Sequence, residues 1–191
     1  MTAVTDDLTR LALAARSGDQ KAAEAFVRAT QAEVWRLLAA LTDVDRADDL
    51  TQETYLRAFR SLPRFRAESS VRTWLLGVAR NTAADHVRTR ARRPRTELLH
   101  AWDETPAPLV TDALAGVALR VAVQSALAQM VPERREAFVL TQMLGLPYAE
   151  AAEVVGCPIG TIRSRVARAR DDLMMAIGDG EAGPSWGASS R

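Results

Sequence analysis

Apolar residues recur at spacings of three and four along almost the whole chain, and no stretch alternates apolar and polar residues between turn signals. That pattern constrains the chain to an all-α fold. Asp6 or Asp7 is placed to cap a first helix through Leu8, Leu11, Ala12 and Ala15, which Ser17 and Gly18 end. Asp19 starts a longer helix with Phe26, Thr30, Val34, Leu37, Leu38 and Leu41 on one face. Asp45 opens a third, in which Leu50, Thr54 and Ala58 lie beside Tyr55, Phe59 and Leu62 as adjacent ridges, and Pro63 stops it. Ser69 or Ser70 caps a fourth, running from Val71 through Trp74, Leu75, Val78 and Thr82 to about Arg93, where Pro94 ends it. These four form one expected bundle over residues 1–95.

From Thr96 to Gly116 the periodicity lapses, Pro106 and Pro108 intervene, and four acids occur without a basic residue. This stretch reads as a flexible acidic linker, residues 96–116. Helical spacing resumes with Leu119, Val123, Leu127 and Met130. Pro132 suits the first turn of the next helix, which carries Ala137, Leu140, Thr141 and Leu144. Two more short helices, split at Gly156, complete a second helical domain over 117–177, and the Gly- and Ser-rich residues 178–191 read as a disordered tail.

The 191 residues carry a formal charge of only +1, so bulk charge gives no reason to expect a polyanionic partner. Re-counted by segment, the average dissolves. Residues 57–95 hold eleven arginines against two acids, a net +9, whereas residues 43–54 and the linker are each −4. Segregation on this scale favours a polyanion at the basic block over a merely solvated face. All basic side chains but Lys21 are arginine, a bias that phosphate-gripping forks and GC-rich coding would both produce.

Several functional classes are excluded. Cys157 is the only cysteine and His86 and His100 the only histidines, so no metal site, cofactor or nucleophilic constellation is expected and the protein should not be an enzyme. The first thirty residues have no unbroken apolar core, so neither a signal peptide nor membrane insertion is expected, and a reducing cytoplasm is the natural setting.

The segment Leu146 to Arg170 is the most specific local feature. A short helix with Tyr148, Ala152 and Val155 meets the Gly156 turn, and a second helix buries Ile159, Ile162, Val166, Ala169 and Leu173 at spacings of 3, 4, 3 and 4. Its other side presents Thr161, Ser164, Arg165 and Arg168, flanked by Arg163 and Arg170. This is the pattern of a helix-turn-helix whose second helix enters a DNA major groove. In the basic block, arginines, the aromatics Phe65 and Trp74 and the amide of Asn81 suit unpaired bases, although Trp74 also falls on an apolar stripe with Val71, Leu75 and Val78. Arg80, Arg88 and Arg92 share a face that could track phosphates, with Asp85 spaced to pair with Arg88. On the third helix Asp49, Gln52, Glu53 and Leu56 share a side away from the apolar ridges. Spacing alone leaves that stripe open between a protein-docking face and a solvated surface.

Taken together, Gly18-Asp19 with Ala25-Phe26, the run from Ala47 to Ala58, the run from Thr73 to Asn81 with Asp85 and Arg88, and the run from Gly156 to Arg165 resemble bacterial sigma factors of the sigma-70 superfamily, extracytoplasmic-function (ECF) group. The resemblance spans roughly Leu8 to Ile177. It implies a σ2-like bundle and a σ4-like helix-turn-helix domain joined by a linker, and a specificity subunit that binds core RNA polymerase and directs promoter-specific initiation. By resemblance Asp48, Asp49, Gln52 and Glu53 grip the β′ coiled coil. The Phe65 to Ser70 loop, Asn81 and the arginines after it open and hold the −10 element. Arg163 and Ser164 touch −35 bases, and Thr161, Arg165 and Arg168 lie near phosphates. The first σ4 helix would face the β-flap, the linker would run near the RNA exit path, and many relatives are held by an anti-sigma factor. The competing class is a helix-turn-helix regulator with a sensing bundle, which has no need of a +9 block beside an acidic stripe.

Overall fold

The computed structural model describes residues 2–92 and 125–178. Helices α1 (Thr2–Arg16), α2 (Gln20–Leu41), α3 (Val44–Ser61) and α4 (Val71–Arg92) precede a helical segment at 125–129, then α5 (Pro132–Phe138), α6 (Tyr148–Val155) and α7 (Ile159–Gly178). No strand occurs among the described residues, in line with the all-α expectation. The linker 96–116 and the tail from residue 179 on lie outside them.

Local chemistry accounts for most boundaries. Asp19 caps α2, its carboxylate accepting from the Ala22 N–H at 3.0 Å, and the Ser70 hydroxyl accepts from the Thr73 N–H at 3.1 Å at the head of α4. Gly156 ends α6 in the left-handed region at φ 74°, which a side chain at that position would resist. Four boundaries differ from expectation. Helix α1 begins at Thr2, ahead of the acids read as its cap. Helix α3 begins at Val44 with Asp43 at the cap position, but the Asp43 carboxylate makes no capping bond because it pairs with Arg90 of α4. Pro63 sits inside a 3₁₀ turn, Leu62–Arg64, that tightens the end of α3, and α7 is 20 residues long rather than short.

In the first four helices and the turn after α3, Phe26, Leu37, Leu38, Leu62, Leu75 and Leu76 are buried almost completely. Between α2 and α3 the Thr30 hydroxyl donates to the Phe26 carbonyl at 2.8 Å, which leaves the Tyr55 hydroxyl to donate to Thr30 at 2.7 Å. Burial pushes the Tyr55 phenol up to about 12. In the second group Ile162, Val166 and Ala169 of α7 are buried as the spacing predicts, but Ile159 is 40% exposed. It occupies the first residue of α7, at the rim of the packed face. Helix α5 runs into a π turn, Val139–Met143, and Arg134 Nη1 donates to both carboxylate oxygens of Asp172 at 2.8 and 2.9 Å, tying α5 to α7.

The two groups touch. Helix α4 packs against α6, and α2 against α5. Across this boundary the Arg72 guanidinium, already forked on Glu33 of α2, donates to the Leu144 carbonyl at 2.7 Å. The Thr73 hydroxyl donates to Glu150 at 3.0 Å, and Arg80 Nε donates to Glu136 at 2.6 Å. Among the described residues no helix is long and apolar enough to cross a membrane.

Candidate functional site

Helix α7 is two-faced. With Ile162, Val166 and Ala169 turned into the core, Arg163, Ser164, Arg168 and Arg170 are exposed, while Thr161 and Arg165 are half-buried. The expected set is not equivalent. Arg163 and Arg168 have no hydrogen bond or ion pair among the described residues, so both guanidinium forks are free for a phosphate or a guanine edge. Arg165 instead lies back on the turn with Nη1 4.0 Å from Cys157 Sγ, and the Ser164 hydroxyl donates to the Thr161 carbonyl at 3.0 Å. Arg170, which the spacing placed only as a flank, bonds the Gln142 side chain at 2.7 Å.

The basic block divides into free and committed cations. Arg92 is exposed and unpaired among the described residues; Arg88 pairs with Asp85 at 2.5 Å, the i, i+3 bond anticipated from spacing. Asp85 also accepts from Arg57 of α3 at 2.6 Å, and Arg57 reaches Glu53 at 2.7 Å. Hydrogen bonds from Arg57 and then Arg88 hold the Asp85 carboxyl below its ordinary 3.8. Its share of stability is therefore present above 3.8 and is lost as pH falls through the lower folded midpoint. An NMR titration is expected to place the Asp85 midpoint below 3.8 and to move it upward in Arg57→Ala, the larger contributor being lost.

Two members of the expected −10 set are held within the protein in this structure. Phe65 is only 8% exposed, its ring 5.1 Å from that of Trp74, so it cannot stack on a base in this conformation. Trp74 is partly buried against the same core. The exposed part of that loop is Arg66 to Glu68, held in an unusual shape by Ala67 at φ 56°. Arg80 is likewise not a free cation, because Glu136, itself 8% exposed, accepts from it across the boundary between the helix groups. Asn81 is exposed, its Oδ1 3.4 Å from Arg80 Nη1.

On α3, Asp49 and Gln52 are exposed and unpartnered among the described residues, and Leu56 is 54% exposed beside them. Glu53 is tied to Arg57, and Asp48 accepts from the Trp35 indole of α2 at 2.9 Å. One unbroken face thus carries two free polar groups, an exposed leucine and two anchored carboxylates.

Residues 22–93 match the family description Sigma-70 region 2, and residues 120–173 match Sigma-70, region 4. The chain is 52% identical over 179 residues to the Probable RNA polymerase sigma-C factor of Mycobacterium bovis, covering 91% of this chain and 95% of that protein. The chain belongs to the ECF sigma factors. The RNA polymerase sigma-H factor of Pseudomonas aeruginosa is 31% identical, with 84% of this chain and 88% of that one covered. Among solved structures the sigma factor is similar to CnrH in complex with the cytosolic domain of CnrY, at TM-score 0.68 and 26% identity over 90% of this chain and 97% of that one. It is also similar to RpoE in complex with the anti-sigma factor NepR from Bartonella quintana, at TM-score 0.64 and 26% identity over 81% and 96%.

As a sigma factor it recognises promoters and initiates transcription with core RNA polymerase. Sigma factors are DNA-recognition subunits rather than catalysts, and no cluster of His, Cys, Asp or Glu able to hold a metal occurs among the described residues. Three residues with evident roles carried no sequence signal. Glu136 and Glu150 meet α4 from 56 and 77 positions away, and Trp35 looks like any aromatic on a helix until its indole is seen on Asp48.

Proposed function

We propose that the second domain, residues 117–177, reads a −35 duplex through Arg163 and Ser164, with Thr161, Arg165 and Arg168 near phosphates, while the first, residues 1–95, captures the −10 strand. The observation that supports this most is the division of α7 into a buried apolar face and an exposed face with two uncommitted arginines. At −10, the loop Arg66 to Ser69, Asn81, Arg88 and Arg92 engage unpaired bases and phosphates, with Asp85 orienting Arg88. Arg80 joins them only after leaving Glu136. Each captured, stacked base contributes about 1–3 kcal/mol, which makes trapping the route to melting.

Asp48, Asp49, Gln52 and Glu53 dock on the β′ coiled coil, α5 and the following turn face the β-flap, and the acidic linker 96–116 follows the RNA exit path ahead of the tail 178–191. Two modest DNA affinities are then joined through polymerase by effective concentration. The protein catalyses no bond chemistry and works in the cytoplasm. An anti-sigma factor is a further proposed partner, supported by the similar RpoE, which was solved in complex with the anti-sigma factor NepR.

In vitro transcription with core polymerase on the cognate promoter tests the whole reading: a promoter-specific transcript is expected, and its absence overturns it. For α7, Arg168→Ala is expected to weaken −35 duplex binding and to reduce the slope of log K against log salt by about 0.9, one phosphate contact. An unchanged slope would place Arg168 off the backbone. Arg165→Ala is expected to change the slope less, since that side chain is partly committed to the turn.

A further inference from the structure

We infer that Trp35 on α2 is a positioning residue of the polymerase-docking face, fixing the Asp48 carboxylate and offering its ring beside it to an arginine of the β′ coiled coil. This rests on α3 being the docking helix. The indole Nε1 donates to Asp48 Oδ1 at 2.9 Å, joining α2 to α3 at an exposed position where a carboxylate would otherwise sample several rotamers. Asp48 Oδ2 has no partner among the described residues.

Trp35 and Asp48 border an open recess between the two helices, together with Gln31, Ala32, Arg36 and Thr51. Two of the donors there are turned onto their own helices: Arg36 Nε bonds the Ala32 carbonyl at 3.0 Å and the Thr51 hydroxyl the Ala47 carbonyl at 2.6 Å, while the Gln31 amide and the Arg36 Nη groups have no partner among the described residues. The recess therefore presents one anchored carboxylate next to a half-buried indole, with the Arg36 guanidinium also among its lining residues. That pairing suits a guanidinium, which can donate to Oδ2 while its plane lies on the ring. Asp49, free on the neighbouring position of α3, adds a second negative charge on the same side. The face that the sequence placed on α3 alone thus extends onto α2.

The test is core polymerase affinity of the full chain in Trp35→Phe, Trp35→Ala, Asp48→Asn and the double variant Trp35→Phe with Asp48→Asn, with Asp49→Arg as the check on the docking helix itself. Trp35→Phe keeps an aromatic ring and removes the donor; it is expected to weaken core binding about three- to tenfold, the range of one ordinary intramolecular hydrogen bond. Trp35→Ala should lose more. In the Asp48→Asn background, Trp35→Phe should cost little further, because there is no charge left to position. Equal costs of Trp35→Phe in both backgrounds, or no cost while Asp49→Arg abolishes binding, would overturn the role of Trp35 and leave α3 as the docking helix. No effect of Asp49→Arg would instead overturn the docking helix.

Discussion

Asp49→Arg is expected to lower affinity for core RNA polymerase by about two orders of magnitude, because a like charge forced into a charge-complementary interface costs several kcal/mol. The position makes a clean test. Asp49 is exposed and has no ion pair among the described residues, so the reversal removes no contact within the protein and stability should stay within about 0.5 kcal/mol. Glu53 gives a poorer test. Its carboxylate holds Arg57, which in turn holds Asp85, so reversing it would disturb α4 as well. Equilibrium titration of labelled sigma factor with core polymerase measures the loss, and a thermal melt of the free protein checks the fold. Binding of the free variant to a −35 duplex should be unchanged, since α7 lies in the other helix group. Full retention of core affinity would remove α3 from the docking surface.

The helices were legible because their causes are local. Asp19, Ser70 and Gly156 act within a turn of their own position, and the faces of α2 and α7 follow from the 3.6-residue period. The arginine face of α7 was legible for the same reason, since burying Ile162, Val166 and Ala169 leaves Arg163, Ser164 and Arg168 on the outside. Residues whose state depends on a distant partner were not. Phe65, in an arginine-rich loop after a proline, has the neighbours of an exposed aromatic, and only the approach of Trp74 from α4 buries it. Asp45 reads as the opening of α3, yet the cap position falls to Asp43, whose carboxylate goes to Arg90, 47 positions on. Segment charge identified the two kinds of partner but could not show which basic side chains, such as Arg57, Arg72 and Arg80, are neutralised within the chain.

Glu136→Ala is expected to loosen the contact between the two helix groups and to raise the affinity of the free sigma factor for a single-stranded −10 oligonucleotide about five- to thirtyfold. Glu136 brings a carboxylate to the boundary with its side chain 10% exposed, and its partner Arg80 has 31% of its side chain exposed. Deleting one member of a fully buried pair costs several kcal/mol, but Arg80 can rehydrate, so about 1–2 kcal/mol is the appropriate figure. That amount shifts a two-state balance between packed and separated domains by the stated factor. The DNA gain follows because separation frees Arg80 and uncovers the part of α4 now against α6. Arg80→Ala should loosen the domains equally without the gain, having lost the phosphate contact, and Glu136→Gln, which keeps an acceptor for Arg80 Nε, should fall between wild type and Glu136→Ala. X-ray scattering follows the domain separation and fluorescence anisotropy the binding. In the assembled holoenzyme the proposed docking of α3 and α5 on separate polymerase surfaces would hold the domains apart, and Glu136→Ala should then leave −10 capture nearly unchanged. A free variant that opens in scattering but gains no affinity would show that Arg80 and the covered face of α4 take no part in strand capture.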